Sequence, residues 1–227
     1  LQQFLFPFKD ENNYTVMTVL KCYDDTFRQK SFLPVTRWKI KSVPQRYCMA
    51  VPYEKKLLLF NLAELVAHPN SPVVLTDSLE IAALHQAKIE PEKLIFTSFI
   101  CDSGHYEQVD WKPLKDRQPY LLVTNHSGKT FEEACWEAGK LADYLKGLSI
   151  DLKFIRMPVW YRSPPVLHNI GELISAYKAA PPQPYKEDIR ILTPEEFETI
   201  RETAEQRIGI PPEAWWKTVQ EQKTSTS

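Results

Sequence analysis

The sequence predicts an α/β protein in which a parallel sheet is flanked by helices, with a small β region before it and helices after it. Three observations predict this. Short runs at 72–78, 93–99 and 119–124 are largely apolar and alternate with helical patterns, as expected of strands buried on both faces. From Phe131, the residues Ala134, Cys135, Ala138, Leu141, Ala142 and Leu145 fall on one face of a 3.6-residue helix. The segment 4–60 is rich in β-branched and aromatic residues and is broken by turn signals.

Taken in order, 14–21, 27–33 and 47–51 are short strand candidates of the N-terminal region, with a turn at Tyr23, Asp24, Asp25 and Thr26. Residues 57–66 read as a strand end passing into a short helix, and His68 to Pro72 as the turn that opens the central sheet. Helical patterns follow at 79–88 and from Phe131, and 151–158 reads as a fourth central strand. A Pro-rich loop, a short helix at 169–177 and a Pro-rich linker come next. Thr193-Pro194-Glu195-Glu196 has the form of a capping box with Pro at the first helical position. It launches a helix with Phe197, Ile200, Ala204 and Ile208 on one face, and a further helix carries Trp215 and Trp216. The expected organisation is a β-rich region over 1–70, an α/β domain over 71–180, and a linker with C-terminal helices over 181–227.

Composition narrows the function classes. The 227 residues are 43% hydrophobic and 25% charged, with a formal net charge of −1, which is ordinary for a globular chain and argues against a surface devoted wholly to a polyanion. No apolar run approaches the roughly 20 residues of a membrane helix, so no membrane partner is expected. Cys22, Cys48, Cys101 and Cys135 are scattered and read as reduced, with a cytoplasmic location as the expectation. Leu1 is not an initiator Met, so where the natural chain begins is not read from it. One local patch stands out: Lys21, Arg28, Lys30, Arg37, Lys39, Lys41 and Arg46 are opposed only by Asp24 and Asp25. Phe27, Phe32, Trp38 and Tyr47 lie among them, either as a stacking platform for single-stranded DNA or RNA or as the small sheet's own core.

In doubly wound sheets ligands gather beyond the carboxyl ends of the strands, which singles out Asp77, Ser78, Asn125, His126, Ser127 and Gly128. His126 beside Ser127 does not make a hydrolytic triad, because adjacency in sequence is not convergence in space. Ser127-Gly128-Lys129-Thr130 resembles the end of a phosphate loop without its earlier glycine; helix-start amides beside Lys129 suit one phosphate, and helix capping explains the same residues. His85 and His105 lack metal-ligand spacing and are expected at the surface or half-buried.

Three phrases in order carry a resemblance: Leu59-Phe60-Asn61-Leu62-Ala63-Glu64-Leu65, a strand ending at Asp77-Ser78, and Asp110-Trp111-Lys112-Pro113-Leu114-Lys115-Asp116-Arg117 before a strand ending at Asn125-His126-Ser127. With the basic N-terminal β region, this order resembles the Toprim-like domains of phage and plasmid primases and of primase–helicase proteins, over roughly 14–177. The resemblance implies a Toprim-like Rossmannoid sheet and metal-dependent phosphoryl or nucleotidyl transfer. In the family a Glu-Gly and an Asp-x-Asp occupy the strand ends, and the two Asp hold Mg²⁺. Here Asp77 and Ser78 replace the first pair, and Asn125 and Ser127 the two aspartates.

The expected function is therefore a primase-associated Toprim-like module in DNA replication of a mobile element. It is degenerate in metal catalysis and binds nucleic acid through Arg28, Lys30, Arg37 and Lys39, or binds a replication partner. No cofactor is expected and no metal-ligand set is defined, although Mg²⁺ is conceivable if Asp77 is joined by Asp102, Glu80, Glu132 or Glu172. The alternatives are a working metal-dependent primase or nuclease, and a scaffold whose C-terminal helices dock a helicase.

Overall fold

The computed structural model describes residues 2–23, 29–38, 46–49, 56–100, 105–124, 131–157 and 190–208. They form two sheets. The first is antiparallel, in the order β1-β2-β3-β4, with β1 Gln2–Lys9, β2 Thr15–Tyr23, β3 Gln29–Trp38 and β4 Arg46–Met49. The second has the order β6-β5-β7-β8-β9, with β5 Val73–Thr76, β6 Ile95–Ser98, β7 Tyr120–Val123, β8 Lys153–Arg156 and β9 Arg190–Leu192. Its first four strands are parallel, and β9 is antiparallel to β8. The helices are α1 Leu62–Ala67, α2 Leu79–Gln86, α3 Phe131–Gly147 and α4 Pro194–Ile208.

The sheet is covered on both sides because side chains alternate along each strand. Val74, Phe96, Leu122 and Ile155 enter one core with Leu79, Ile81 and Ala82 of α2 and with Phe6, Phe8, Met17 and Val19 of the antiparallel sheet. Val73, Leu75, Ile95, Leu121, Val123 and Phe154 enter the other with Cys135, Leu141 and Leu145 of α3 and Phe197 of α4. The N-terminal sheet thus shares a core with the parallel one. Helix α2 buries His85, 2% exposed, with its ring stacked on Phe96 and its Nδ1 2.8 Å from the Ile81 carbonyl. That corrects the expectation of a surface or half-buried ring: the imidazole lies on the covered face of α2, against the apolar ring of Phe96.

Two other differences have physical causes. β1 was not distinguishable as a separate strand, since Pro7 interrupts it; Pro is tolerated because β1 is an edge strand. The linker expected over 181–227 contains β9, whose three residues are too few to show a period. The capping box forms as read: the Thr193 amide donates to Glu196 Oε2 at 2.9 Å, and the Glu196 amide donates to Thr193 Oγ1 at 3.1 Å. Helix α4 then lies along α3. Phe197 is fully buried and stacked on Phe154 with centroids 3.5 Å apart. At Gly139 a Cβ would sit 2.7 Å from Arg201 Cδ, so that side chain would have to shift, and Arg201 meets Asp143 with two hydrogen bonds at 2.6 and 3.2 Å. The pair Trp215 and Trp216 and the helix expected at 169–177 lie outside the described residues.

Two outcomes follow. Burial lowers the His85 pKa from 6.5 to about 4, so between those values the unfolded chain takes up a proton that the folded one refuses. The stability contribution is whole above pH 6.5 and lost as pH falls toward 4, about 3 kcal/mol in full. Urea denaturation as a function of pH is expected to show this slope in the wild type and to lose it in His85→Gln. Replacing Phe197 by Ala is expected to cost about 3–5 kcal/mol, seen as a lower urea midpoint, because the cavity opens between α4 and the sheet.

Candidate functional site

The strand order places a topological switch point between β5 and β7: the chain leaves β5 toward β6 through α2 on one face, and leaves β7 toward β8 through α3 on the other. The carboxyl ends of these strands are Thr76 and Val123, so Asp77 and Ser78 stand at the crevice. Asn125, Ser127, Gly128 and Lys129 lie outside the described residues, as do Asp102 and Glu172.

The β5 end is built from hydrogen bonds. Ser78 is the N-cap of α2, with its Oγ accepting from the Ile81 amide at 3.2 Å, while its own amide donates to Thr76 Oγ1 at 3.2 Å. The Ser78 hydroxyl also donates to Glu80 Oε2 at 3.0 Å. Glu80 in turn receives the Lys21 ammonium on both oxygens, at 2.9 and 3.0 Å. Glu80 is therefore a paired acid in the first turn of α2, its side chain 28% exposed. Asp77 is exposed beside this network, and the Ser98 hydroxyl, fully buried and without a hydrogen-bond partner, stands opposite Thr76 in the strand register.

On the β7–β8 side, Arg156 ends β8 next to Val123 in register, with its guanidinium carbon 4.1 Å from the centre of the Phe131 ring at the start of α3. Glu132 follows in the first turn of α3. Cys135, one turn on, is inert: burial pushes its thiol up to about 12. Among the described residues no three His, Cys, Asp or Glu side chains gather to hold a metal ion. In the same residues no helix is long and apolar enough to cross a membrane.

Of the basic residues, Arg28 and Lys39 lie outside the described residues, while positions 30 and 37 belong to β3. Lys21 belongs to the basic patch in sequence, yet it follows Met17 and Val19 at steps of two on the buried face of β2. That period was the available signal for an inward ammonium.

The two phrases outside the strand ends have a structural task. The Phe60 amide donates to the Ser98 carbonyl at 2.8 Å, Thr97 Oγ1 to the Phe60 carbonyl at 2.6 Å, and Asn61 Nδ2 to the Phe96 carbonyl at 2.8 Å, so the first phrase lies along the open edge of β6. Asn61 holds a left-handed conformation, φ 58°, which Asn tolerates better than most residues. In the second phrase Trp111 is buried with its Nε1 donating to the Tyr106 carbonyl at 2.8 Å, and Leu114 is fully buried. Arg117 then reaches the end of α1, where its guanidinium donates to the carbonyls of Leu65, His68 and Ser71. Just ahead of the two phrases, Leu57 and Val109 form a parallel bridge.

Compared with models of known protein families and with curated proteins, the sequence has no significant match.

Because Arg117 satisfies helix-end carbonyls at the amino end of the sheet, Arg117→Met is expected to cost about 2–3 kcal/mol in urea denaturation. A residue acting at the switch point would instead leave stability unchanged, so a null result here would remove the structural assignment.

Proposed function

We propose that the chain is a Toprim-like module associated with primases in the replication of a mobile element, degenerate in metal catalysis and acting by binding single-stranded nucleic acid or a replication partner. The observation that supports it most is the interlocking of the Leu59 and Arg117 phrases around a doubly wound sheet whose switch point carries Asp77 and Ser78. A likeness that rests on these phrases speaks for the architecture, because they brace an edge strand and a helix end.

The degeneracy in metal chemistry has two supports. Asn125 and Ser127 bring dipoles in place of two carboxylate charges, and small hard dications are held mainly by anionic oxygens. The nearest acid in sequence to Asp77 within α2, Glu80, has both oxygens on Lys21. The reading as a working metal-dependent primase or nuclease pairs Asp77 with Asp102, Glu80 or Glu172; Glu80 is engaged by Lys21, and Asp102 and Glu172 lie outside the described residues. The scaffold reading, a helicase or partner subunit docked on the C-terminal helices, loses α4, whose Phe197 and Ala204 are buried within the chain, and keeps the segment with Trp215 and Trp216, which lies outside the described residues.

Binding would draw on the basic segment that includes Arg28, Lys30, Arg37 and Lys39, and its electrostatic part would be strongly salt-dependent. Fluorescence anisotropy with a labelled single-stranded oligonucleotide is expected to show binding at low salt that weakens by about tenfold or more on raising the salt a few-fold. Replacing the four residues by Ala is expected to abolish it. Absence of binding at low salt, or binding unaffected by the fourfold replacement, would overturn the nucleic-acid reading.

A further inference from the structure

We propose that Lys21 is an internal counter-ion that closes the carboxyl end of β5 to divalent cations, an autoinhibitory contact made by the antiparallel sheet on the switch point of the parallel one. The row Met17, Val19 and Lys21 projects from β2 toward the core that contains α2, and its first two members are buried apolar side chains. The third places an ammonium there. Its side chain is only 12% exposed and that of Glu80 28%, so both charges have lost much of their water. Such a desolvated pair persists only when its geometry is good and the remaining lone pairs are used. Both conditions hold, since Nζ lies 2.9 and 3.0 Å from the two carboxylate oxygens and Oε2 also accepts from Ser78 Oγ at 3.0 Å.

A divalent ion chelated by both Glu80 oxygens at about 2.0–2.5 Å would take the place the ammonium now bridges, and an ion on one oxygen would meet the repulsion of the Lys21 charge. With Lys21 in place Glu80 is neither a metal ligand nor a general base. With Lys21 withdrawn, the carboxylate and the Ser78 hydroxyl would form an oxygen pair beside exposed Asp77. The contact therefore sets whether the β5 end can take a cation, and it does so through the docking of the N-terminal sheet. This inference stands on the ion pair and does not depend on nucleic-acid binding.

The test is titration of the full chain with Mn²⁺, following the electron paramagnetic resonance signal of the free hydrated ion, for wild type, Glu80→Gln, Lys21→Met and Lys21→Met/Glu80→Gln. Wild type and Glu80→Gln are expected to bind equally weakly, because Glu80 is already engaged. Lys21→Met is expected to bind about tenfold more tightly, a modest gain because one carboxylate and a hydroxyl leave most of the ion's water in place. The double variant is expected to return to the wild-type value. A loss of Mn²⁺ affinity in Glu80→Gln, a folded Lys21→Met chain with no gain, or a gain that survives in the double variant would each overturn the proposal. If circular dichroism shows that Lys21→Met does not fold, the first comparison decides alone: equal affinity of wild type and Glu80→Gln supports the proposal, and lower affinity of Glu80→Gln overturns it.

Discussion

Burial of β5 on both faces is the constraint from which the rest of the architecture follows. Each of its four residues is buried, with Val73 and Leu75 turned to one core and Val74 to the other. A strand in that situation needs a layer on each side and a hydrogen-bonded neighbour at each edge. The chain supplies α2 and the antiparallel sheet on one face, α3 and α4 on the other, and β6 and β7 at the edges. Parallel neighbours in turn require crossovers, and because one crossover leaves on each face, the ends of β5 and β7 are left facing a crevice.

The two ends of this sheet are treated differently. At the amino end a guanidinium satisfies backbone carbonyls at the close of α1, including those of Leu65 and His68. The six-residue helix is too short to be stable by propensity alone, so its end must be held by tertiary contacts. At the carboxyl end the polar groups are side chains, Thr76, Ser78, Glu80, Lys21 and Ser98, gathered where the apolar strands stop. The Arg117 bracing and the groups around Ser78 are thereby separated by the length of the strands, whereas the first phrase reaches the carboxyl end itself through the Phe60 amide on the Ser98 carbonyl.

Helix α3 shows how close the predicted and observed faces are. The stripe expected through Cys135, Leu141 and Leu145 is the buried one, and Gly139, adjacent to it, is where α4 crosses. The periodic signal identifies which face is covered but not by what. The covering layer came from β9 and α4, over thirty positions further along, through Phe197 against Phe154.

By itself the sequence determined the elements whose signal is local: the apolar strands β5, β6, β7 and β8, the stripe of α3, the reciprocal cap at Thr193 and Glu196, and the absence of a membrane-length apolar run. These depend on period, propensity and neighbours within a turn, which a linear chain displays directly. Tertiary structure alone decided that Lys21 meets Glu80 across 59 positions, that Arg117 closes α1, and that His85 is buried. Each involves a polar group whose state depends on which distant group desolvates or pairs with it, and pairing energies over such separations leave no periodic trace in the sequence.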